Sequence, residues 1–176
     1  MRVLISAASR HGATREIART LAGVLAEQGH KVQIVSPEQV ESLDEYEAAI
    51  VGSAVYMGRW LTSARRLVRR LGDEFAARPV WLFSSGPIGD PPQPALEPSD
   101  AAALMAAIGA REHRVFAGRL ERERLGLAER VAASALRVSD RDDRDWNEIA
   151  AWARAIAVAL DSFGAEGVRV RGGEQP

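Results

Sequence analysis

The chain has 176 residues, a formal net charge of -1 with 27% charged residues, and no cysteine. Its length suits one domain burying roughly two-thirds of its unfolded surface, and the missing cysteine excludes disulfides, Cys-ligated zinc, iron–sulfur clusters and thiol nucleophiles. The balanced charge gives no reason to expect a nucleic-acid partner, and with Lys31 as the only lysine the many arginines are a habit of composition rather than a functional signal.

Val3 to Ile5 is a short apolar run, the pattern of a parallel strand buried on both faces. Ser9-Arg10-His11-Gly12-Ala13-Thr14 follows as a hydroxyl- and glycine-containing turn, and Ile17, Ala18, Leu21, Ala22, Val24 and Leu25 then recur at helical spacing up to Gly29. A turn of this kind presents unpaired N–H groups and the positive end of a helix dipole to an anion. Lys31 to Val35 reads as a second strand closed by Pro37, and Ala48 to Gly52 as a third. The loop Ser53 to Arg59 leads into a helix expected from near Trp60 to Leu71, whose Arg65, Arg66, Arg69 and Arg70 form a solvated face. Pro79 to Phe83 is a fourth strand, followed by the loop Ser84 to Asp90 and a proline-rich connection through Pro98. Ser99 or Asp100 is expected to cap a helix to Ile108, Gly109 ends it, and Arg114 to Ala117 is a fifth strand. Residues 118–143 read as an insertion with an extra helix from Leu125 to Leu136, and the last helix runs from about Arg144 to Leu160. Trp81, Trp146 and Trp152 are assigned to the core. One domain therefore spans 1–163, and 164–176 reads as a flexible tail in which Val168 and Val170 give a weak strand signal.

Five strands alternating with helices predict an α/β fold, a doubly wound parallel sheet with helices on both faces. Ligands of such sheets bind at the carboxyl ends of the strands, where strand order reverses, so the loops at Ser9, Ser53 and Ser84 are expected to converge. A triphosphate P-loop would need G-x-x-x-x-G-K-[ST] and a dinucleotide site G-x-G-x-x-G, and neither occurs. Gly52-Ser53-Ala54 offers no carboxylate for a phosphate-accepting receiver, and none of the three histidines lies in a hydrolase motif. Neutral phosphate donors followed by glycine-containing turns with aromatic residues suit a planar ring on a phosphate stalk.

These residues resemble the flavodoxin-type FMN-binding proteins, whose phosphate loop reads [ST]-x-[ST]-G-x-T; His11 stands where a hydroxyl is usual. The likeness is closer to the branch of menaquinone-dependent protoporphyrinogen oxidases. It rests on Ser9 to Ala18, on Gly52-Ser53-Ala54-Val55-Tyr56-Met57-Gly58, and on the insertion ending in Arg144-Asp145-Trp146. The resemblance implies a flavodoxin-like fold, FMN as cofactor and an oxidoreductase passing electrons from a reduced substrate to a quinone or protein acceptor; a small electron carrier without its own substrate is the alternative. Phosphate contacts would come from Ser9, Arg10, His11, Gly12, Ala13 and Thr14, and ring contacts from Ser53, Ala54, Val55, Tyr56, Met57, Gly58, Ser84, Ser85, Gly86 and Gly89, with Gly58 able to reorganise with flavin redox state. Trp60 is assigned chiefly to the helix core.

No catalytic residue or metal site is assigned. The insertion holds no Trp, Tyr or Phe between Arg119 and Asp145, so the resemblance carries the cofactor further than the substrate. Nothing approaches the roughly twenty apolar residues of a spanning helix, and Val3 to Ala8 is too short for a signal sequence. A cytoplasmic location is expected, with a redox partner protein, a peripheral membrane contact and a homodimer left open.

Overall fold

A computed structural model describes residues 1–86, 98–120 and 140–172. Its elements are β1 (Arg2–Ala8), α1 (Ala13–Glu27), β2 (Lys31–Ile34), β3 (Ala48–Tyr56), β4 (Arg59–Trp60), α2 (Thr62–Arg70), α3 (Gly72–Ala76), β5 (Val80–Ser85), α4 (Ala101–Ile108), β6 (Glu112–Phe116), β7 (Arg119–Leu120), β8 (Arg141–Asp142) and α5 (Trp146–Gly172). Five strands lie parallel in the order β2-β1-β3-β5-β6. From β1 the chain steps out to β2 and returns to β3 on the other side of β1, so strand order reverses between β1 and β3.

Successive side chains of a strand point to opposite faces, and here both faces are covered. Val3, Ile5 and Ala7 of β1 join one core with Ile17, Leu21 and Leu25 of α1 and Ile149, Trp152, Ile156 and Leu160 of α5. Leu4 and Ala8 join the other, with Leu67 and Val68 of α2, Phe75 of α3, and Leu104 and Ile108 of α4. Burial on both faces is why β1, β3 and β5 are apolar runs without alternation. Gly52 serves this packing: a Cβ there would lie 2.1 Å from two ring carbons of Phe83, so the absent side chain is the space the ring occupies.

Several boundaries differ from the sequence-based expectations. The sheet gains a sixth, two-residue strand, because β3 continues past Gly52 to Tyr56 and turns back as β4, with Val55 opposite Trp60 and Tyr56 opposite Arg59. Trp60 is thus a buried strand residue, and α2 starts at Thr62. Asp100 precedes α4 without a side-chain capping bond; its carboxylate accepts the Trp60 N–H at 3.2 and 3.3 Å instead. The last helix starts at Trp146, with Asp145 Oδ1 accepting the N–H groups of Asn147 and Glu148, and runs on to Gly172, so the strand signal at Val168 and Val170 falls inside helix. Trp81 and Trp152 are core residues, but Trp146 is 40% exposed and is covered by the Arg144 guanidinium, 4.4 Å from its ring centre. At the base of the insertion β7 and β8 pair antiparallel. The expected helix at 125–136, Gly89 and most of the proline-rich connection lie outside the described residues.

Candidate functional site

Strand register decides which loops meet. Ala8 pairs with Ser53, Ser53 with Ser84, and Ser84 with Val115. The segments after Ala8, Ser53 and Ser85 therefore leave the same edge of the sheet at the same level, across the point where strand order reverses. The sequence predicts three converging loops; two of them begin as strand. Ser53 to Tyr56 belongs to β3, and Ser84 and Ser85 to β5.

In the first loop Gly12 adopts a left-handed backbone, φ 92, immediately before α1, and its N–H donates to Ser9 Oγ at 3.0 Å. A left-handed residue is cheap only without a Cβ. The Ser9 hydroxyl, accepting there, keeps its own proton to donate. The first-turn amides of Ala13, Thr14 and Arg15 have no carbonyl within the helix to bond, and Thr14 is buried. Neutral donors at the positive end of a helix fit a phosphate, and the loop contains no carboxylate. Beside it, the end of β1, Ser36 to Glu38 and the start of α2 line an open cleft of about 510 Å³ that Ser9, Arg10 and Arg15 also border.

The β3–β4 hairpin packs against this loop. The Arg10 guanidinium carbon lies 5.3 Å from the centre of the Tyr56 ring, and the His11 ring is 6.3 Å from it, tilted by 54°. Tyr56 and His11 are half-buried. At the hairpin tip Met57 (φ 49) and Gly58 (φ 72) both have positive φ, the requirement of a two-residue type I′ turn. Met57 is fully exposed. The Ser99 N–H donates to the Gly58 carbonyl at 2.9 Å and the Ser99 hydroxyl does so at 3.3 Å, which tie the tip to the segment entering α4.

Other expected ring contacts are engaged inside the protein. Ser53 Oγ accepts the Leu61 N–H at 2.9 Å and donates to the Ala54 carbonyl at 2.8 Å, fixing the return strand of the hairpin. Ser84 Oγ accepts the Trp60 Nε1–H at 2.7 Å and lies 2.8 Å from His113 Nε2. Both serines are fully buried and Ser85 is nearly so. Gly86 is spaced tightly: a Cβ on it would be 3.1 Å from Val55 Cβ, and one on Gly118 would be 3.1 Å from Gly86 Cα. Ala54 and Val55 are half-buried on β3 beside it.

An ionic cluster that sequence reasoning missed stands at the first turn of α1, beside the Ser9–Thr14 loop. Glu16, in the first turn of α1, is held by Arg119 through Nη1 at 3.0 Å and Nη2 at 2.8 Å, and by Arg144 Nη1 at 2.9 Å. Arg144, its side chain 1% exposed, also grips Asp142 with Nε at 2.7 Å and Nη2 at 2.5 Å. Burial alone would raise the Glu16 carboxyl, but the hydrogen bonds and charges of Arg144 and Arg119 outweigh it and hold it below its ordinary value. Hydrogen bonding from Arg144 likewise lowers Asp142. Glu16 and Arg144 lie inside two of the sequence motifs, which give neither of them a role; only folding brings Arg119 to them.

The family model of the flavodoxin domain matches residues 4–147. Protoporphyrinogen IX dehydrogenase [quinone] of Escherichia coli is 24% identical, the match covering 92% of this chain and 97% of the relative. Among solved structures, a flavodoxin from the domain Archaea superposes with a TM-score of 0.64 at 18% identity, over 92% of this chain and 99% of the other. Rubredoxin oxygen:oxidoreductase from Desulfovibrio gigas gives 0.63 at 15% identity, over 92% of this chain and 36% of that longer one.

Proposed function

The chain belongs to the flavodoxin-domain family, whose cofactor is FMN, and from that premise we propose that it oxidises a reduced small-molecule substrate and delivers the electrons to a quinone. The observation that carries this reading is the meeting of the phosphate loop, the β3–β4 hairpin and the Gly86 backbone at the β1/β3 reversal. Support for the substrate pair comes from the E. coli relative, which matches nearly end to end. A porphyrinogen with a quinone acceptor is therefore the first pair to test. Each turnover would remove two electrons and two protons from the substrate and reduce the quinone to the quinol.

When bound, FMN supplies the electron chemistry. The protein's part is binding and orientation. Ser9 and the amides of α1 hold the phosphate, with Arg10 adding positive charge. Tyr56 shapes the edge of the ring site from the hairpin. Buried Ser53 and Ser84 keep the two strand ends rigid, which would fix the walls that Ala54, Val55 and Gly86 present to the ring.

An absorbance spectrum of the purified protein, with release and mass identification of the chromophore, tests the cofactor. The expected result is a yellow protein releasing FMN; a colourless protein that takes up no added FMN overturns the reading. Anaerobic incubation of the holoprotein with a porphyrinogen and a menaquinone analogue tests the reaction. Porphyrin formation supports it, whereas a holoprotein that exchanges electrons with a redox protein but leaves porphyrinogen unchanged is an electron carrier.

A further inference from the structure

Glu16 sits in an awkward place for a helix that binds phosphate. Its Cα is about 4.5 Å along the axis from that of Ala13, and side chains of a helix lean towards its N-terminus. The Arg144 Nη1 that holds Glu16 also reaches the Ala13 carbonyl at 3.3 Å, so the carboxylate lies at the level of the phosphate loop. An unpaired carboxylate there would oppose the anion that Ser9 and the first-turn amides are arranged to receive. Two guanidiniums occupy the carboxylate instead, one arriving from β7 and the other from the segment between β8 and α5. The charges of Glu16, Asp142, Arg119 and Arg144 sum to zero.

We propose that Arg119 and Arg144 are positioning residues for the cofactor, screening Glu16 from the FMN phosphate and holding the first turn of α1 in its phosphate-binding form. The inference rests on FMN being the cofactor. It also accounts for the paired strands β7 and β8, which carry Arg119 and Asp142 to the start of α1 from opposite ends of the insertion. Neither arginine is required to touch the cofactor, so the effect is electrostatic and specific to the phosphate.

The experiment measures FMN and riboflavin binding to apoprotein by flavin fluorescence quenching. Arg119→Met, which keeps much of the stem and removes the charge, is expected to weaken FMN binding about tenfold and riboflavin binding by less than about twofold. The loss should shrink as salt is raised from about 0.05 M to about 1 M. Glu16→Gln added to Arg119→Met restores the charge balance and should return FMN affinity to within about threefold of the parent. Arg119→Lys, keeping the charge without the fork, should stay within the same range. Equal losses for FMN and riboflavin, a loss insensitive to salt, no loss at all, or a double variant no better than Arg119→Met would each overturn the proposal. If the parent apoprotein binds no FMN, the cofactor assignment itself fails, which the parent measurement shows before any variant is compared.

Discussion

Ser84 and Gly52 are both placed by partners distant in the chain. A serine at a strand's carboxyl end is a reasonable donor to a ligand, yet the Ser84 hydroxyl lies between Trp60 and His113 in the interior. An indole N–H buried without an acceptor would cost about 1–3 kcal/mol, and nothing in the local sequence announces that the partner lies on β5. Gly52, at the end of the expected third strand, is a packing residue. Phe83 fills its place, and the ring is itself bounded by Phe116 and Trp152 at 6.2 and 6.3 Å between centres. Gly52→Ala is therefore expected to destabilise the protein by about 3 kcal/mol in urea unfolding. Adding Phe83→Leu should recover part of that loss, giving a coupling well outside additivity; purely additive costs would show that the ring does not hold the space.

At the level of elements, the β3–β4 hairpin is the main departure from the expected loop. Its turn places Met57, an exposed apolar residue, at φ 49, a conformation that costs an L-residue about 1–2 kcal/mol unless it is Asn, Asp or Gly. Asn-Gly is the preferred pair for this turn. Met57→Asn is expected to raise stability by about 1 kcal/mol, seen as a higher urea midpoint at an unchanged m-value. A lower midpoint would mean that the Met57 side chain contributes contacts its full exposure does not suggest. The same hairpin explains why Trp60 is not in a helix: its N–H is bonded to Asp100 and its ring pairs with Ser84, two partners that come from residues 40 and 24 positions away.

For the whole molecule, the carboxylates tying distant segments together set the response to acid. Glu16 joins α1 to both ends of the insertion, and Glu112 on β6 accepts from Trp152 of α5 at 2.9 Å and from Arg114. Burial opposes ionisation of Glu112, but hydrogen bonds from Trp152 and Arg114 prevail, so Glu16, Asp142 and Glu112 all have lowered values in the folded protein. A lowered carboxyl binds fewer protons folded than unfolded, so its contribution is complete above the ordinary range near pH 4 and is lost as pH falls through the depressed values. The contribution of these carboxylates to stability in urea unfolding should be constant from about pH 7 to about pH 5 and decline below that. Glu16→Gln should be less stable at neutral pH and decline less steeply; an identical slope would remove Glu16 from the acid response. Among the described residues no helix is long and apolar enough to cross a membrane. The α/β class and the turn before the first helix were legible in the chain, because two-sided burial, helix periodicity and turn chemistry are local and leave a pattern in neighbouring residues. Long-range packing is what puts Trp60 in a strand, turns the Ser53 and Ser84 hydroxyls inward, and brings Arg119 and Arg144 to Glu16. The last of these joins residues as far as 128 positions apart, and a hydrogen bond or ion pair across that distance leaves no periodicity for the chain to show.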